Sequence, residues 1–317
     1  MARPSLFKKS PLDLWLVGLT VAQTATFFAM AALWPTGTLG WIAGGFALTC
    51  LLQTYNTIVV SHMLVHGPWF TRPLPNALVA ILNSFNMGRS AEAYRLDHVG
   101  NHHRFSNDLR VDGVTRDLSS SFRAGRDGVR GGHEHVLPYS VRWGAVILGD
   151  AVVAMLAVHR GWRVGPREAL LLELASRRSL RRIQIQRVAQ LAGLVALAAV
   201  SWRYALFIYL PSWFTSYVLA NMQNYYEHYG ADPTSRLANS SSHYGRLYNL
   251  LTFNDGYHQE HHLRPQEHWS QLPGLTARFD LGRVRRVVSR FPNCLGFLDR
   301  RAPILDHGDP HAPLARE

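Results

Sequence analysis

Residues Leu39 to His66 read LGWIAGGFALTCLLQTYNTIVVSHMLVH. From Leu39 to Val60 the stretch carries no charge, and about 20 apolar residues are enough to cross a bilayer. Its last third turns polar at Gln53, Asn56 and Ser61, as expected of a helix leaving the hydrocarbon, and it then runs into His62 and His66. On a helix, residues four apart share a face. The run therefore predicts a membrane helix that presents two imidazoles at its end.

Working outward, Leu12 to Trp34 is a second apolar run, with Asp13 its one charge. It is too long, and lacks the small-residue cleavage site, to read as a removable signal peptide. Pro35-Thr36-Gly37-Thr38 makes a short turn between the two runs. Val188 to Ser201 and Tyr204 to Asn221 form another hairpin, broken at Trp202-Arg203, with Pro211 placed to kink its second arm. The segment between the hairpins opens with Pro68, Pro73 and Pro75 and carries much of the Arg. Within it Leu74–Met87 and Val141–Val158 are moderately apolar and read as interfacial or re-entrant helices. A crossing at Val141–Val158 would put later histidines on the wrong side to share a site with the earlier ones.

Composition agrees with a membrane protein. The 317 residues are 47% apolar with a net charge of +12, and Lys occurs only at Lys8 and Lys9. The Arg residues flank apolar runs, so anionic lipid headgroups, and not nucleic acid, are the expected partner. Cys50 and Cys294 are the two cysteines, one of them inside an apolar run, so no disulfide framework or thiolate site is indicated. Arg3, Lys8, Lys9 and the Arg-rich middle place the N-terminus, the middle segment and the C-terminus in the cytoplasm. Arg in place of Lys suggests a GC-rich bacterial genome, hence a multi-pass protein of a bacterial inner membrane.

Three histidine boxes carry the chemistry: His62-Met-Leu-Val-His66, His98-Val-Gly-Asn-His102-His103 and His258-Gln-Glu-His261-His262. In each, an i, i+4 pair converges on one face, while His103 and His261 point about 100° around the helix toward a neighbouring ion. A fourth element, Asn224-Tyr225-Tyr226-Glu227-His228, ends the last apolar run, with Asn224 and His228 again four apart. Nine imidazoles exceed the four ligands of one zinc site, so two ions are expected, with iron preferred and positions left for O₂. Asn224 is expected to act as a ligand directly or through a water. Asp97, Glu227, Asp255 and Glu260 neighbour the ligands and are expected to orient imidazole N–H groups. His133, His135, His159, His243, His268, His307 and His311 read as ordinary surface or core histidines.

These motifs resemble the membrane fatty acid desaturase and hydroxylase superfamily, whose signature is HxxxH, HxxxHH and HxxHH with four spans. The stretch from Phe253 to His262 and that from His102 to Asp108 are similar to the desaturase boxes. Asn224-Tyr225-Tyr226-Glu227-His228-Tyr229-Gly230 resembles a motif of the membrane alkane monooxygenases, although Met63 stands where their first box has Glu. The resemblance implies an all-α membrane protein, four transmembrane helices with a cytoplasmic helical cap holding a dimetal site. It divides into 1–11 as a cytoplasmic segment, 12–66 as the first hairpin, and 67–187 as the interfacial segment. The second hairpin is 188–228, the cap 229–301, and 302–317 a tail.

The resemblance also implies an O₂-dependent, diiron oxidation of an unactivated C–H bond in a fatty acyl or alkyl lipid. Desaturation is the leading expectation. Hydroxylation, or oxidative decarboxylation, at the same site is the alternative, and a non-catalytic metal-binding membrane protein is the remaining one. Electrons are expected from a separate ferredoxin, rubredoxin or cytochrome b5 type protein, whose acidic surface suits the Arg-rich face.

Overall fold

The computed structural model describes residues 5–34, 38–123, 132–156, 166–279 and 291–298. Its regular elements there are helices, with two isolated β-bridges. Four helical stretches are long and apolar enough to cross a membrane: Asp13–Leu33, Leu39–Val65, Val136–Met155 and Arg177–His228. The sequence reading placed an interfacial helix at Val141–Val158. The helix starts five residues earlier, at Val136, and qualifies by length and composition as a span. The turn at 35–37, the tail at 302–317 and His159, His307 and His311 lie outside the described residues.

The chain divides into two compact units. The first comprises residues 1–98 and 144–217. Its core gathers Phe27, Phe85, Leu197, Tyr204, Tyr209 and Trp213. Phe85 shows how the second hairpin is built. A Cβ on Gly193 would lie 2.7 Å from the Phe85 ring, and Tyr209 stacks on that ring at 5.2 Å. In a continuous helix these positions would be about 24 Å apart, so the chain reverses between them. Ser201, at φ −156° and ψ 100°, is the non-helical residue that allows it, one residue before the expected break. Ala205–Tyr209 then opens into a π-helix just before Pro211, which lacks an N–H and would crowd the carbonyl of Phe207 in a regular helix.

The Pro73–Met87 helix is anchored in this unit. Gly88 ends it at φ 77°, and its missing Cβ leaves room for the Trp213 ring, 2.5 Å from where a Cβ would stand. Two of its terminal carbonyls, which lack the regular i+4 donor, receive tyrosines: Tyr209 Oη donates to Phe85 O at 2.6 Å, beside Gly88 N at 3.2 Å, and Tyr217 Oη to Met87 O at 2.9 Å. On its inner face Asn83 donates to Thr20 Oγ1 (3.0 Å) and accepts from Asn56 Nδ2 (2.8 Å). Asn56 also donates to Gln23 Oε1 (2.6 Å) and accepts from Ser61 (2.7 Å). This fully buried network ties the first two spans to Pro73–Met87 and ends at the residue before His62. Burying so many amides is tolerable because each has a partner.

The second unit comprises residues 99–143 and 218–317. Among its described residues long loops alternate with short helices, and in the loops side chains replace the missing regular hydrogen bonds. Asn101 receives Leu118 N (2.8 Å) and donates to Arg116 O (2.9 Å), while Asn107 receives Ser121 N (2.7 Å). Before the third box, Phe253 and Asn254 take left-handed conformations. Gly256 lets the chain pass so close to His243 that a Cβ would lie 2.3 Å from its carbonyl oxygen. These devices launch the short helix His258–Leu263, in which the third box is buried.

Candidate metal centre

In the second unit, His102, His228, His258 and His262 form a buried quartet whose ligand atoms all lie within 4.8 Å of one another. His102 Nε2 is 3.0 Å from His228 Nε2, which is 3.3 Å from His258 Nε2. His102 Nδ1 meets Asp117 Oδ2 at 2.8 Å, and His228 Nδ1 meets the Asn239 carbonyl at 2.9 Å. Carboxylate and carbonyl oxygens only accept, so both rings are protonated at Nδ1 and a neutral ring then has a bare lone pair at Nε2. Two such lone pairs at 3.0 Å repel unless something positive lies between them. Two nitrogens bound at about 2.1 Å to one first-row metal ion, at a right angle, would lie about 3.0 Å apart.

One proton could bridge a pair of rings, but not four. His262 Nε2 is buried with no hydrogen-bond partner among the described residues, while its Nδ1 lies 3.4 Å from Ser106 Oγ. Burial, then the proximity of His258, His228 and His102, pushes the His262 pKa well below the usual imidazole range. A neutral, inward-facing nitrogen is what a metal ligand requires. The residues present therefore fit a metal ion.

The unit holds one further pair, His103 and His261, with Nε2 atoms 3.0 Å apart. In the first unit, His62, His66 and His98 form a trio with ring centroids 4.6 to 5.1 Å apart. His62 Nδ1 lies 3.2 Å from the Ile58 carbonyl, which again turns Nε2 outward as the acceptor.

One expectation about pairing is corrected. His98 and His102 do not converge as an i, i+4 pair: His98 joins His62 and His66, and His102 joins the quartet. Leu96–His102 is a π-helix and not the α-helix that the spacing assumes, and the trio and the quartet belong to different units. His258 and His262, on an α-helix, do pair as expected.

The neighbouring carboxylates take different roles. Glu227 Oε2 stands 3.6 Å from His258 Nε2, an ion-pair distance. Asp97 is instead held by Arg89 (2.7 Å) and Arg167 (2.8 Å); burial pushes its carboxyl up, but the two guanidiniums outweigh it and hold it at about 2. Glu260 accepts from Ser242, Tyr244 and Thr276, which anchors the third-box helix. Asp255 lies 3.4 Å from Gln223 Nε2, which also donates to Glu227 Oε1 at 2.6 Å. Asn224 spends its Nδ2 on Tyr139 Oη (2.8 Å).

Sequence reasoning missed Asp117 and Tyr139. Asp117 Oδ2 accepts from His102 and from Asn107 N (2.6 Å), and Oδ1 from Ser119 N (2.7 Å). Burial raises its pKa, but His102 and these N–H groups lower it further, for a net depression. Tyr139 Oη donates to Ser119 O at 2.6 Å. The short segment 117–119 thus supports His102 through Asp117 and Asn224 through Tyr139. No periodicity links residue 117 to residue 102, so no spacing rule could have found it.

A family model described as fatty acid desaturase matches residues 36–282, most of the chain. No curated protein matches it.

Proposed function

We propose, for a chain that belongs to the fatty acid desaturase family, that it is an integral membrane diiron enzyme removing two hydrogens from a fatty acyl chain. The observation that carries this reading is the facing pair of Nε2 lone pairs, His102 and His228, inside a quartet of buried imidazoles. The quartet would hold one iron. His62, His66 and His98 of the first unit and His103 and His261 of the second are the remaining candidate ligands, and Asn224 would add an oxygen ligand directly or through water. Bound iron with O₂ supplies an oxidant strong enough for an unactivated C–H bond.

The chain's own residues orient the imidazoles and exclude water. Asp117 and the Asn239 and Ile58 carbonyls fix the tautomers of three rings. Burial of the quartet keeps bulk water from its nitrogens. The overall reaction balances when the acyl chain loses two hydrogens and O₂ takes two further electrons and two protons to give two waters. The electrons come from a separate ferredoxin, rubredoxin or cytochrome b5 type protein. With Val136–Leu156 lying along the interface and not crossing, so that His102 and His228 stay on one side, the histidines, both termini and the Arg-rich segments face the cytoplasm, following the positive-inside rule, with a bacterial inner membrane as the host.

A second reading is hydroxylation, favoured by the stretch Asn224 to Gly230, which resembles an alkane monooxygenase motif. Expression in a host of known lipid profile, followed by mass spectrometry, separates the two. Loss of two hydrogens supports desaturation, and gain of one oxygen supports the second reading. Purified protein with less than one iron per chain, and no donor-dependent O₂ uptake, would overturn both and leave a non-catalytic metal-binding protein. The His258→Ala variant should insert normally and yield no product.

A further inference from the structure

The first unit contains a groove of about 590 Å³ that the metal chemistry does not use. It lies where the chain enters and leaves the apolar runs. Lys8 N donates to Trp69 O at 2.7 Å and Thr71 N to Leu6 O at 3.1 Å, and Phe7 stacks on Phe70 at 5.1 Å. The segment before Asp13 is thereby joined to the segment after Val65, so the groove is level with the ends of two spans. That is the depth of lipid headgroups, where aromatic residues collect.

Its floor is apolar by design of the helix surface. Pro73, Asn76, Ala77, Ala80 and Ile81 line it, at i, i+3, i+4, i+7 and i+8, which is one helical face. Ala77 and Ala80 are small and leave the space open. Its rim is cationic. Lys8, Arg95 and Arg182 line it together with one carboxylate, Glu92, which Arg95 and Arg182 contact at 2.7 and 3.5 Å. Three cations against one anion leave two positive charges, and the Lys8 ammonium has no ion pair among the described residues.

None of the box histidines lines the groove. Leu64 lines it, and on the first-box helix Leu64 lies about 200° around from His62 and about 160° from His66. Val65 lines the groove too and lies about 60° around from His62, so an occupant would press on the back and one flank of that helix. The groove volume is that of a well-formed ligand pocket, roughly 300–1,000 Å³.

We propose that this groove binds one anionic phospholipid, its acyl chain along Ala77 and Ala80 and its phosphate among Lys8, Arg95 and Arg182. The bound lipid braces the helix that carries His62 and His66. A zwitterionic lipid would fit the floor equally well but would not match the net charge of the rim. This reading does not depend on the reaction, because the groove needs no iron.

The test uses the full chain in nanodiscs of phosphatidylglycerol or phosphatidylcholine with identical acyl chains, released for native mass spectrometry. Phosphatidylglycerol should be retained at one per chain in preference to phosphatidylcholine. Lys8→Ala, at an exposed residue, should lower that preference roughly fivefold. Ala80→Trp should abolish retention of both lipids, while Ala80→Ser, which leaves the groove open, should keep it. Removing iron with a chelator should leave retention unchanged, which separates this site from the metal centre. Equal retention of the two lipids, undiminished retention in Ala80→Trp, or full stabilisation by inorganic phosphate in place of the lipid would each overturn the proposal.

Discussion

Asp117 Oδ2 accepts from His102 Nδ1 at 2.8 Å, and this one bond decides how His102 can act. With its proton held at Nδ1, the ring turns a lone pair toward His228, His258 and His262. The carboxylate also collects the backbone N–H groups of Asn107 and Ser119, so the loop that carries it and the imidazole are set together.

The first prediction concerns Asp117→Asn. The amide offers a single acceptor oxygen where the carboxylate offers two, so one of three donors loses its partner. Loss of such a partner costs about 10- to 100-fold in metal affinity. Iron titration of the depleted protein should show that fall, with helix content unchanged. Asp117→Ala, which removes every acceptor, should show at least the same fall, and wild-type affinity in both variants would show that Asp117 does not orient His102.

Tyr139→Phe tests the other arm of the same loop. It strands the Asn224 amide and the Ser119 carbonyl, which Tyr139 Oη now joins, at a cost of about 1–3 kcal/mol in stability for each buried group left unpaired. If Asn224 acts at the metal, kcat should also drop, about tenfold for each 1.4 kcal/mol of lost positioning, with KM nearly constant. A stability loss with kcat intact would assign Tyr139 a purely structural part.

Asp97 makes an acid-sensitive contribution. Its pKa in the folded chain is about 2, below the usual carboxylate value of 3.8. A depressed carboxylate stabilises the fold at pH values above its unfolded pKa and loses that contribution as pH falls through the folded one. The loss therefore runs between about pH 4 and pH 2 and amounts to roughly 2 kcal/mol. Acid unfolding of Asp97→Asn should lack this component. The variant should also be less stable at neutral pH, because Arg89 and Arg167 lose their shared anion.

Asn56→Leu should be costly despite its apolar surroundings. Gln23 and Ser61 would lose the hydrogen bonds that Asn56 makes with them, and Asn83 one of its own. At about 1–3 kcal/mol for each buried polar group left unpaired, the expected loss is roughly 3 kcal/mol or more. Thermal unfolding in detergent should register it. Because Ser61 precedes His62, iron content should fall in parallel.

Much of this protein is legible along the chain. Apolar runs long enough to cross a bilayer need no tertiary information, since span length is set by bilayer thickness. Leu39–Val60 and Leu12–Trp34 accordingly match the helices Leu39–Val65 and Asp13–Leu33 closely. The histidine boxes are equally local, and all nine imidazoles fall into close clusters or pairs within their own units.

What the chain did not disclose depends on contacts between residues far apart. That His98 joins His62 and His66 and not His102 is set by tertiary packing, and the π-helical stretch that carries it is invisible to hydropathy. Asp117, Tyr139 and the Asn239 carbonyl hold their ligands across loops with no period to read. The reversal at Ser201 is sealed by Gly193 and Tyr209 meeting on Phe85, a residue more than a hundred positions earlier. The sequence by itself therefore determined the first two membrane spans and the inventory of clustered imidazoles, because length and spacing act within one helix. Only the tertiary structure decided which imidazoles share a point and which proton each carries, because both are set by hydrogen bonds that close long loops.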